Sequence, residues 1–310
     1  MIKRLVCFAI AVAFSGPAFA QVAFYGDAHN ANTIRYATQD HVSQYFLGTG
    51  FNCNTDNKVW ANWVTSEIEL DMQFGSIKYK TNGIQVGADL YSNKTTLIGL
   101  VGGYESSVME YNGVDAIDVD DYYFGVYGTK LFSNCVDMRA YAGYGSQRYE
   151  DSFYSDNYKG KTFETTLEFG RRYHLNRCWS FRPFVGLDWY TNNVQFDSFW
   201  NEELTQVMGR FGSDLQYTRG NWNLNGGLHY AYQLNESALY NTFALNGLDL
   251  GRSVLTLTAG TTVYLDECKK WSLFATYYGD CYVDREGTRG LVLDKTPWRH
   301  TAMIGTGYRF

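Results

Sequence analysis

The sequence predicts an all-β protein, a transmembrane antiparallel β-barrel of about 12 strands. Three observations support this: an alternating final segment, a secretory signal at the other end, and an aromatic content of 17%. In the final segment, 298–310, successive side chains point to opposite faces of a strand. One face carries Trp298, His300, Ala302, Ile304, Thr306, Tyr308 and Phe310, and the other carries Arg299, Thr301, Met303, Gly305, Gly307 and Arg309. A soluble sandwich could show the same alternation, so the N-terminal end of the chain is needed to decide.

Residues 1–20 have the features of a secretory signal peptide. Lys3 and Arg4 precede an apolar run, and Ala18-Phe19-Ala20 forms a small-residue cleavage site. An uncleaved anchor is the alternative, but the apolar run is short of the roughly 20 residues that span a bilayer as a helix. We therefore expect cleavage and a mature chain that starts near Gln21.

The composition fits a barrel in an outer membrane. The chain has 26 Tyr, 20 Phe and 8 Trp, yet its mean hydropathy is only −0.32. A barrel combines a polar lumen with an apolar exterior that is flanked by aromatic girdles. The formal net charge of −6 argues against nucleic-acid binding, which needs basic surface.

Alternating segments recur from residue 58 onwards, which predicts an antiparallel meander. Between them we expect an acidic loop at 112–121 and a long outward loop at 198–216. Pro183 lacks the N–H that a central strand needs, so its strand is expected to start late or to carry a bulge. The predicted strands are 59–66, 82–92, 95–104, 123–132, 137–150, 162–175, 179–190, 222–232, 238–246, 254–265, 271–280 and 298–310.

The charged residues of these strands share the face opposite the large apolar side chains. An Arg or Lys facing lipid at the midplane would cost roughly 2 to 4 kcal/mol. Such charges could hold an inner helix or set an ion preference. The predicted lumen-facing charges are Asp89, Glu164, Glu168, Arg172, Arg182 and Asp188.

Several local patterns, in order along the chain, resemble the autotransporter translocator domain of type V secretion. They are 83–89 (GIQVGAD), 96–99 (TLIG), 103–104 (GY), 123–128 (YFGVYG), 142–145 (AGYG), 167–173 (LEFGRRY) and the terminal Tyr308-Arg309-Phe310. The resemblance implies that both barrel ends face the periplasm and that a helix in the lumen leads to an exported passenger. It also implies dependence on periplasmic chaperones and on the outer-membrane barrel assembly machinery, with Tyr308 and Phe310 as an assembly signal.

The predicted domains are the signal at 1–20, an N-terminal segment at 21–57 and the barrel at 58–310. Residues 32–46 could form a short helix inside the lumen, with Asn32 as its cap, or a disordered linker. The segment before the first strand is too short for a sizeable passenger. Three interpretations remain open: a barrel with its own function, a translocator separated from its passenger, or a gene remnant.

Five cysteines follow the signal peptide, in a chain that enters an oxidising compartment. Cys135, Cys178 and Cys268 lie in short connections predicted at the same rim, and Cys135 with Cys178 is the pair we would expect first. The alternative is small residues in turns, because connectivity cannot be deduced from sequence.

The sequence gives no sign of an enzyme, and we predict no catalytic, cofactor-binding or metal-binding residues. No G-x-S-x-G motif occurs. His229 is expected to be a hydrogen-bonded lumen residue and His300 an interfacial one. Asp115, Asp118, Asp120 and Asp121 lack the spacing of a calcium loop, so we expect a solvated acidic loop.

Three functions are compatible with this barrel, which we expect to be a monomer embedded in outer-membrane lipid. The first is an autotransporter-type translocator that passes its own short N-terminal segment. The second is a stand-alone pore or surface-binding, adhesin-like barrel that meets partners through the loop at 198–216. The third and least favoured is an omptin-like barrel protease, because its ten-stranded pattern and paired acidic residues are not recognisable here.

Overall fold

The structure, a computed structural model, describes residues 57–72, 75–152, 156–197, 200–235, 253–283 and 297–310. Within these ranges the chain forms twelve long strands and one two-residue strand. They are β1 (Lys58–Met72), β2 (Gly75–Ser92), β3 (Thr96–Tyr111), β4 (Val114–Leu131), β5 (Val136–Asp151), β6 (Asp156–Arg171), β7 (Tyr173–His174), β8 (Trp179–Asp197), β9 (Trp200–Arg219), β10 (Trp222–Gln233), β11 (Ser253–Tyr264), β12 (Trp271–Val283) and β13 (Trp298–Arg309).

The strands close into a barrel. Each long strand pairs antiparallel with its neighbours in sequence, and β1 pairs with β13 from Lys58↔Arg309 to Ile68↔Arg299. The short β7 continues the line of β6 beside β8. Among the described strands, closure leaves no open sheet edge facing hydrocarbon, which a bilayer would not tolerate. The predicted fold class, an all-β antiparallel barrel of about twelve strands, is confirmed.

The barrel has two rims. The terminal rim carries both ends of the barrel, where the Phe310 N–H donates to the Asn57 carbonyl at 3.1 Å. The short turns at 93–95, 132–135, 175–178, 220–221 and 265–270 lie at this rim. The distal rim is the opposite end of the barrel. Cys135, Cys178 and Cys268 all lie in turns of the terminal rim, as expected from the sequence.

Side chains alternate between the outer and the inner face of the barrel wall along each strand. In β13, Trp298 and Ile304 are exposed, whereas Arg299, Thr301 and Met303 are at most 2% exposed. The exposed side chains point outwards and the buried ones into the lumen. The face assignment made for residues 298–310 is therefore the one that the strand adopts.

The prediction of a loop at 198–216 is wrong, because residues 200–216 belong to β9. β9 pairs with β8 and with β10 over its length. Its outward positions include the small residues Gly209 and Ser213, and its inward positions include Arg210 and Asp214. The stretch thus lacks the run of large apolar side chains that marks the other strands, although its backbone fits the ladder.

The prediction of an acidic loop at 112–121 is also wrong. Asn112 and Gly113 form a two-residue hairpin turn with φ of 52° and 79°, and β4 begins at Val114. Asn-Gly is favoured in such turns because both positions need positive φ. The acidic residues that follow the turn therefore belong to a strand.

Pro183 neither starts its strand nor causes a register shift. It lies inside β8 and pairs with Ser213 of β9. On the other side of β8, the ladder stops at Gly170↔Phe184 and resumes in the same register at Tyr173↔Phe181. Pro183 lies in this gap, which separates β6 from β7, so no ladder hydrogen bond requires the N–H that proline lacks.

Three sequence predictions lie outside the described residues: the signal at 1–20, the helix at 32–46 and the strand at 238–246. β10 pairs directly with β11 over eleven residue pairs, from Trp222↔Val263 to Tyr232↔Ser253. The order of the barrel therefore passes from β10 to β11 without another strand between them.

Candidate functional site in the barrel lumen

One wall of the lumen, from β5 to β10, carries a connected set of ion pairs. Arg182 of β8 is its centre and is 2% exposed. Its Nε donates to Asp137 at 2.9 Å, and its Nη1 donates to Glu168 at 2.6 Å and to Asp214 at 3.4 Å. One guanidinium thus joins carboxylates from three other strands.

Arg210 of β9 extends the set along the wall. Its Nη1 lies 3.0 Å from Glu168, and its Nε donates to Asp188 at 3.0 Å. Asp188 also accepts a hydrogen bond from Thr166 at 2.9 Å. At the other side, Arg139 of β5 lies 3.4 Å from Asp137 and 3.5 Å from Glu168. Glu168 is therefore shared by three arginines.

His229 joins the set through Asp214. Its Nε2 lies 2.8 Å from an Asp214 carboxylate oxygen, and its ring meets Phe184 edge-on with centroids 4.8 Å apart. This is the hydrogen-bonded lumen position expected from the sequence. His300 lies outside, where its Nδ1 is 2.6 Å from the Tyr277 hydroxyl.

The opposite wall carries smaller polar clusters. Asp280 of β12 accepts from the Arg299 Nε at 2.9 Å and from the Thr256 hydroxyl at 2.6 Å. Further round, the Tyr127 hydroxyl accepts from the Trp60 indole at 3.0 Å and donates to Asp89 at 2.8 Å. In these clusters the buried carboxylates have hydrogen-bond donors, as buried polar groups generally do.

The six predicted lumen charges all lie on the inner face and are at most 8% exposed. Glu168, Arg182 and Asp188 belong to the ion-pair set. Glu164 accepts from the Tyr141 hydroxyl at 2.6 Å, and Asp89 belongs to the opposite wall. Sequence reasoning missed Asp137, Arg139, Arg210 and Asp214. Asp137 and Arg139 lie at alternate, inward-facing positions of the strand predicted at 137–150, so alternation could have identified them. Arg210 and Asp214 could not be identified, because β9 was predicted to be a loop.

The lumen changes character towards the distal rim, where its lining becomes apolar. The inward positions there form one contiguous cluster, which we call the apolar collar. The exposed fraction of these side chains is 8% or less. The collar comprises Ile68, Leu70, Ile77, Tyr79, Met109, Ala116, Ile117, Val119, Tyr149, Tyr158, Tyr190, Val194, Leu204, Val254 and Tyr282.

The exterior carries two aromatic girdles. Near the terminal rim, Trp271 packs on Tyr308 and Trp179 on Tyr217, with centroids 4.6 and 4.9 Å apart. Towards the distal rim, paired rings include Tyr104 with Tyr122, Phe163 with Trp189 and Tyr277 with His300. Beyond this second girdle the exterior bears ion pairs such as Lys78–Glu67 and Arg148–Glu150. A lipid-facing band bounded by amphipathic rings is typical of outer-membrane barrels.

No helix able to cross a bilayer is present in the described ranges. Nor do three His, Cys, Asp or Glu side chains of the described residues group as metal ligands would. Cys135 and Cys178 are free thiols in this structure. Their pairing stays a prediction.

A family model for the autotransporter β-domain matches residues 59–278. The chain belongs to this family. It is an outer-membrane β-barrel of the autotransporter translocator type. No curated protein matches the chain.

Solved autotransporter barrels share this fold. The translocator domain of NalP from Neisseria meningitidis is 13% identical with a TM-score of 0.63, and the match covers 93% of this chain and 98% of that one. The β-domain of Bordetella BrkA is 18% identical with a TM-score of 0.55, covering 82% and 100%. The transport unit of AIDA-I from Escherichia coli is 12% identical with a TM-score of 0.58, covering 84% and 91%. At these identities the likeness concerns the fold alone.

Proposed function

We propose that this autotransporter-type barrel passes its own N-terminal segment, residues 21–57, through the lumen after removal of the signal at 1–20. The observation that carries the proposal is the meeting of Asn57 and Phe310 at one rim of a closed barrel. The segment before β1 is therefore joined to the barrel at this terminal rim, which we assign to the periplasm. To reach the other side of the membrane it must run through the lumen.

The ion-pair set supports this role by fixing the wall. Each carboxylate of the set faces at least one arginine or His229, so the wall is held without a ligand. A lumen that keeps its shape can hold a polypeptide against one wall while the barrel stays sealed to lipid. Insertion of such a barrel is expected to use periplasmic chaperones and the outer-membrane assembly machinery.

Surface accessibility tests the passage directly. An epitope placed at residue 21 of the mature chain should be accessible to antibody on intact cells. An epitope inserted in the turn at 93–95, which lies at the terminal rim, should be accessible only after the outer membrane is broken. Equal protection of both epitopes would contradict passage of the segment.

Conductance in planar bilayers separates this function from a stand-alone pore. The intact chain should conduct little, and removal of residues 21–56 should raise the conductance. High conductance in the intact chain would favour the pore.

We infer that the barrel has no catalytic role. His229 and Asp214 are the residues that most resemble an acid–base pair, but Asp214 also lies 3.4 Å from Arg182 within the ion-pair set. A peptide-cleavage assay on the folded barrel checks this. Turnover that is abolished by Asp214→Asn would show an enzyme.

Phe310 is expected to act in assembly together with Tyr308. Its side chain is 61% exposed at the end of the outward face of the last strand. Deletion of Phe310 should reduce the amount of folded, heat-modifiable barrel in the outer membrane, whereas Phe310→Trp should preserve it. Unchanged heat-modifiable mobility in the deletion would contradict an assembly role.

A further inference from the structure

The lipid-facing exterior has a groove that crosses the seam between β1 and β13. It is an open surface depression with a volume of about 710 Å³. Its outward-facing lining includes Val59, Ala61, Val86, Ala88, Leu100 and Gly102.

The groove results from the size of side chains in successive rows of the sheet. The row Thr306–Ala61–Val86–Gly102 and the row Tyr308–Val59–Ala88–Leu100 run side by side across four strands, and their middle residues are small. The next row towards the distal rim consists of large exposed side chains. These are Ile304, Trp63, Ile84, Tyr104 and Tyr122, which are 38–68% exposed.

The groove begins at the membrane interface and rises into the hydrocarbon. At one end, Trp271 and Tyr308 belong to the girdle of the terminal rim, and the exposed Lys270 precedes them. At the other end, Phe124 lies seven residues before Leu131, the last residue of β4. At about 3.3 Å per residue this is roughly 23 Å along the tilted strand.

The lining determines what can fill this space. Thr306 donates its hydroxyl to the Ser272 carbonyl at 3.1 Å, and the Trp60 indole donates to Tyr127, away from the groove. Water needs two to four polar partners and is not stabilised on apolar walls. An unfilled space would forfeit van der Waals contacts along its whole lining. In a bilayer, the molecules at hand to fill it are hydrocarbon chains.

We propose that this groove is a binding site for one acyl chain of a phospholipid in the leaflet at the terminal rim. The chain lies over Ala61, Ala88 and Gly102, and its headgroup lies at the Trp271–Tyr308 end. The exposed Lys270, next to Trp271 in the turn, supplies a cation at this interface for the phosphate. The occupant is lipid because the groove is continuous with the lipid-facing surface of the barrel.

Photo-crosslinking in liposomes tests the site with the full mature chain. The probe is a phosphatidylglycerol that carries a diazirine on one acyl chain, and cross-linked peptides are mapped by mass spectrometry. Cross-links should concentrate at Val59, Val86 and Leu100. A comparison surface, formed by the exposed Leu224, Leu228 and Leu257, should carry fewer.

The double variant Ala61→Leu/Ala88→Leu fills the groove with apolar atoms and keeps the exterior lipid-compatible. Groove cross-links should fall to the level of the comparison surface. Ala259→Leu, at an exposed outward position of β11, is the matched control and should leave them unchanged. Heat-modifiable mobility verifies folding, and Ala88→Leu alone replaces the double variant if that does not insert.

Three results would overturn the proposal. Cross-links spread evenly around the barrel would show ordinary lipid contact. Cross-links that persist in the filled variant would place the lipid elsewhere. Cross-links between two copies of the chain through the groove would show that a second barrel covers it.

Discussion

At the scale of single residues, Arg182 is the side chain on which the lumen wall depends most. It contacts Asp137, Glu168 and Asp214 while being 2% exposed. Removing one member of a buried ion pair leaves its partners charged and desolvated. Exposed pairs contribute far less, because water and salt screen them.

Arg182→Ala should therefore lower the free energy of unfolding by roughly 3–5 kcal/mol. The matched control is Arg148→Ala, which removes an exposed pair with Glu150 (2.9 Å) and should cost about 0–1 kcal/mol. Urea denaturation of the barrel in detergent micelles measures both. Equal midpoints for the two variants would contradict a central role for Arg182.

At the scale of elements, β9 shows where sequence reasoning succeeded and where it could not. The alternation of 298–310 was recognisable because large side chains such as Trp298 and Ile304 repeat on one face. On that face of β9, Gly209 and Ser213 interrupt the apolar side chains Phe211 and Leu215, so the apolar alternation is too weak to identify a strand. Its identity depends on hydrogen bonds to β8 and β10, which no local pattern encodes.

The ion-pair set illustrates the same limit. Glu168 and Arg182 could be assigned to the lumen from parity alone. Their partners Arg210 and Asp214 became visible only once β9 was paired with β8 in register. The turn at Asn112-Gly113 had a sequence signal, but the acidic residues after it suggested a loop. Local chemistry therefore predicts which face a residue occupies, whereas its contacts depend on register.

Substitution at Phe211 tests the membrane position of β9. Its side chain is 57% exposed on the outer face. Phe211→Arg should cost roughly 2–4 kcal/mol if it lies near the midplane, and insertion should fail or weaken. Phe211→Leu is the apolar control and should insert normally. Normal insertion of Phe211→Arg would indicate a solvent-exposed segment.

The turn between β11 and β12 gives a pH-dependent prediction. The backbone N–H groups of Trp271 and Lys270 donate to the Asp266 carboxylate at 2.8 and 3.1 Å. These hydrogen bonds lower the pKa of Asp266, and the one from Trp271 has the largest effect. Because the pKa of Asp266 is lower in the folded state, its charged carboxylate stabilises the fold at pH values above the unfolded-state pKa of about 3.9. This stabilisation is lost as the pH falls through the folded-state pKa.

Asp266→Ala should therefore be less stable than the parent at pH 7, and the difference should shrink below about pH 4. Denaturation midpoints measured across this range check it. Glu267→Ala, which changes the neighbouring exposed carboxylate, serves as control. A difference that does not change with pH would show that the carboxylate charge is not what holds the turn.

At the scale of the whole molecule, the barrel is a cylinder with an apolar exterior and a largely polar inner wall. The exposed rings of the two girdles and the buried ion pairs of the lumen are opposite faces of the same strands. The apolar collar near the distal rim is the exception to a polar lining. An apolar lining does not solvate ions, so the collar and the N-terminal segment are both expected to lower the conductance.

Closure between β1 and β13 is the central claim, and a disulfide across the seam tests it most directly. The hydroxyls of Ser66 and Thr301 lie 2.9 Å apart in the lumen, on paired positions of the two strands. In a background where the native cysteines are replaced by serine, Ser66→Cys/Thr301→Cys should form an intramolecular disulfide in the inserted barrel. Oxidation should then prevent heat-induced opening, and reduction should restore it. Free thiols after oxidation, or a disulfide only between molecules, would contradict a closed barrel.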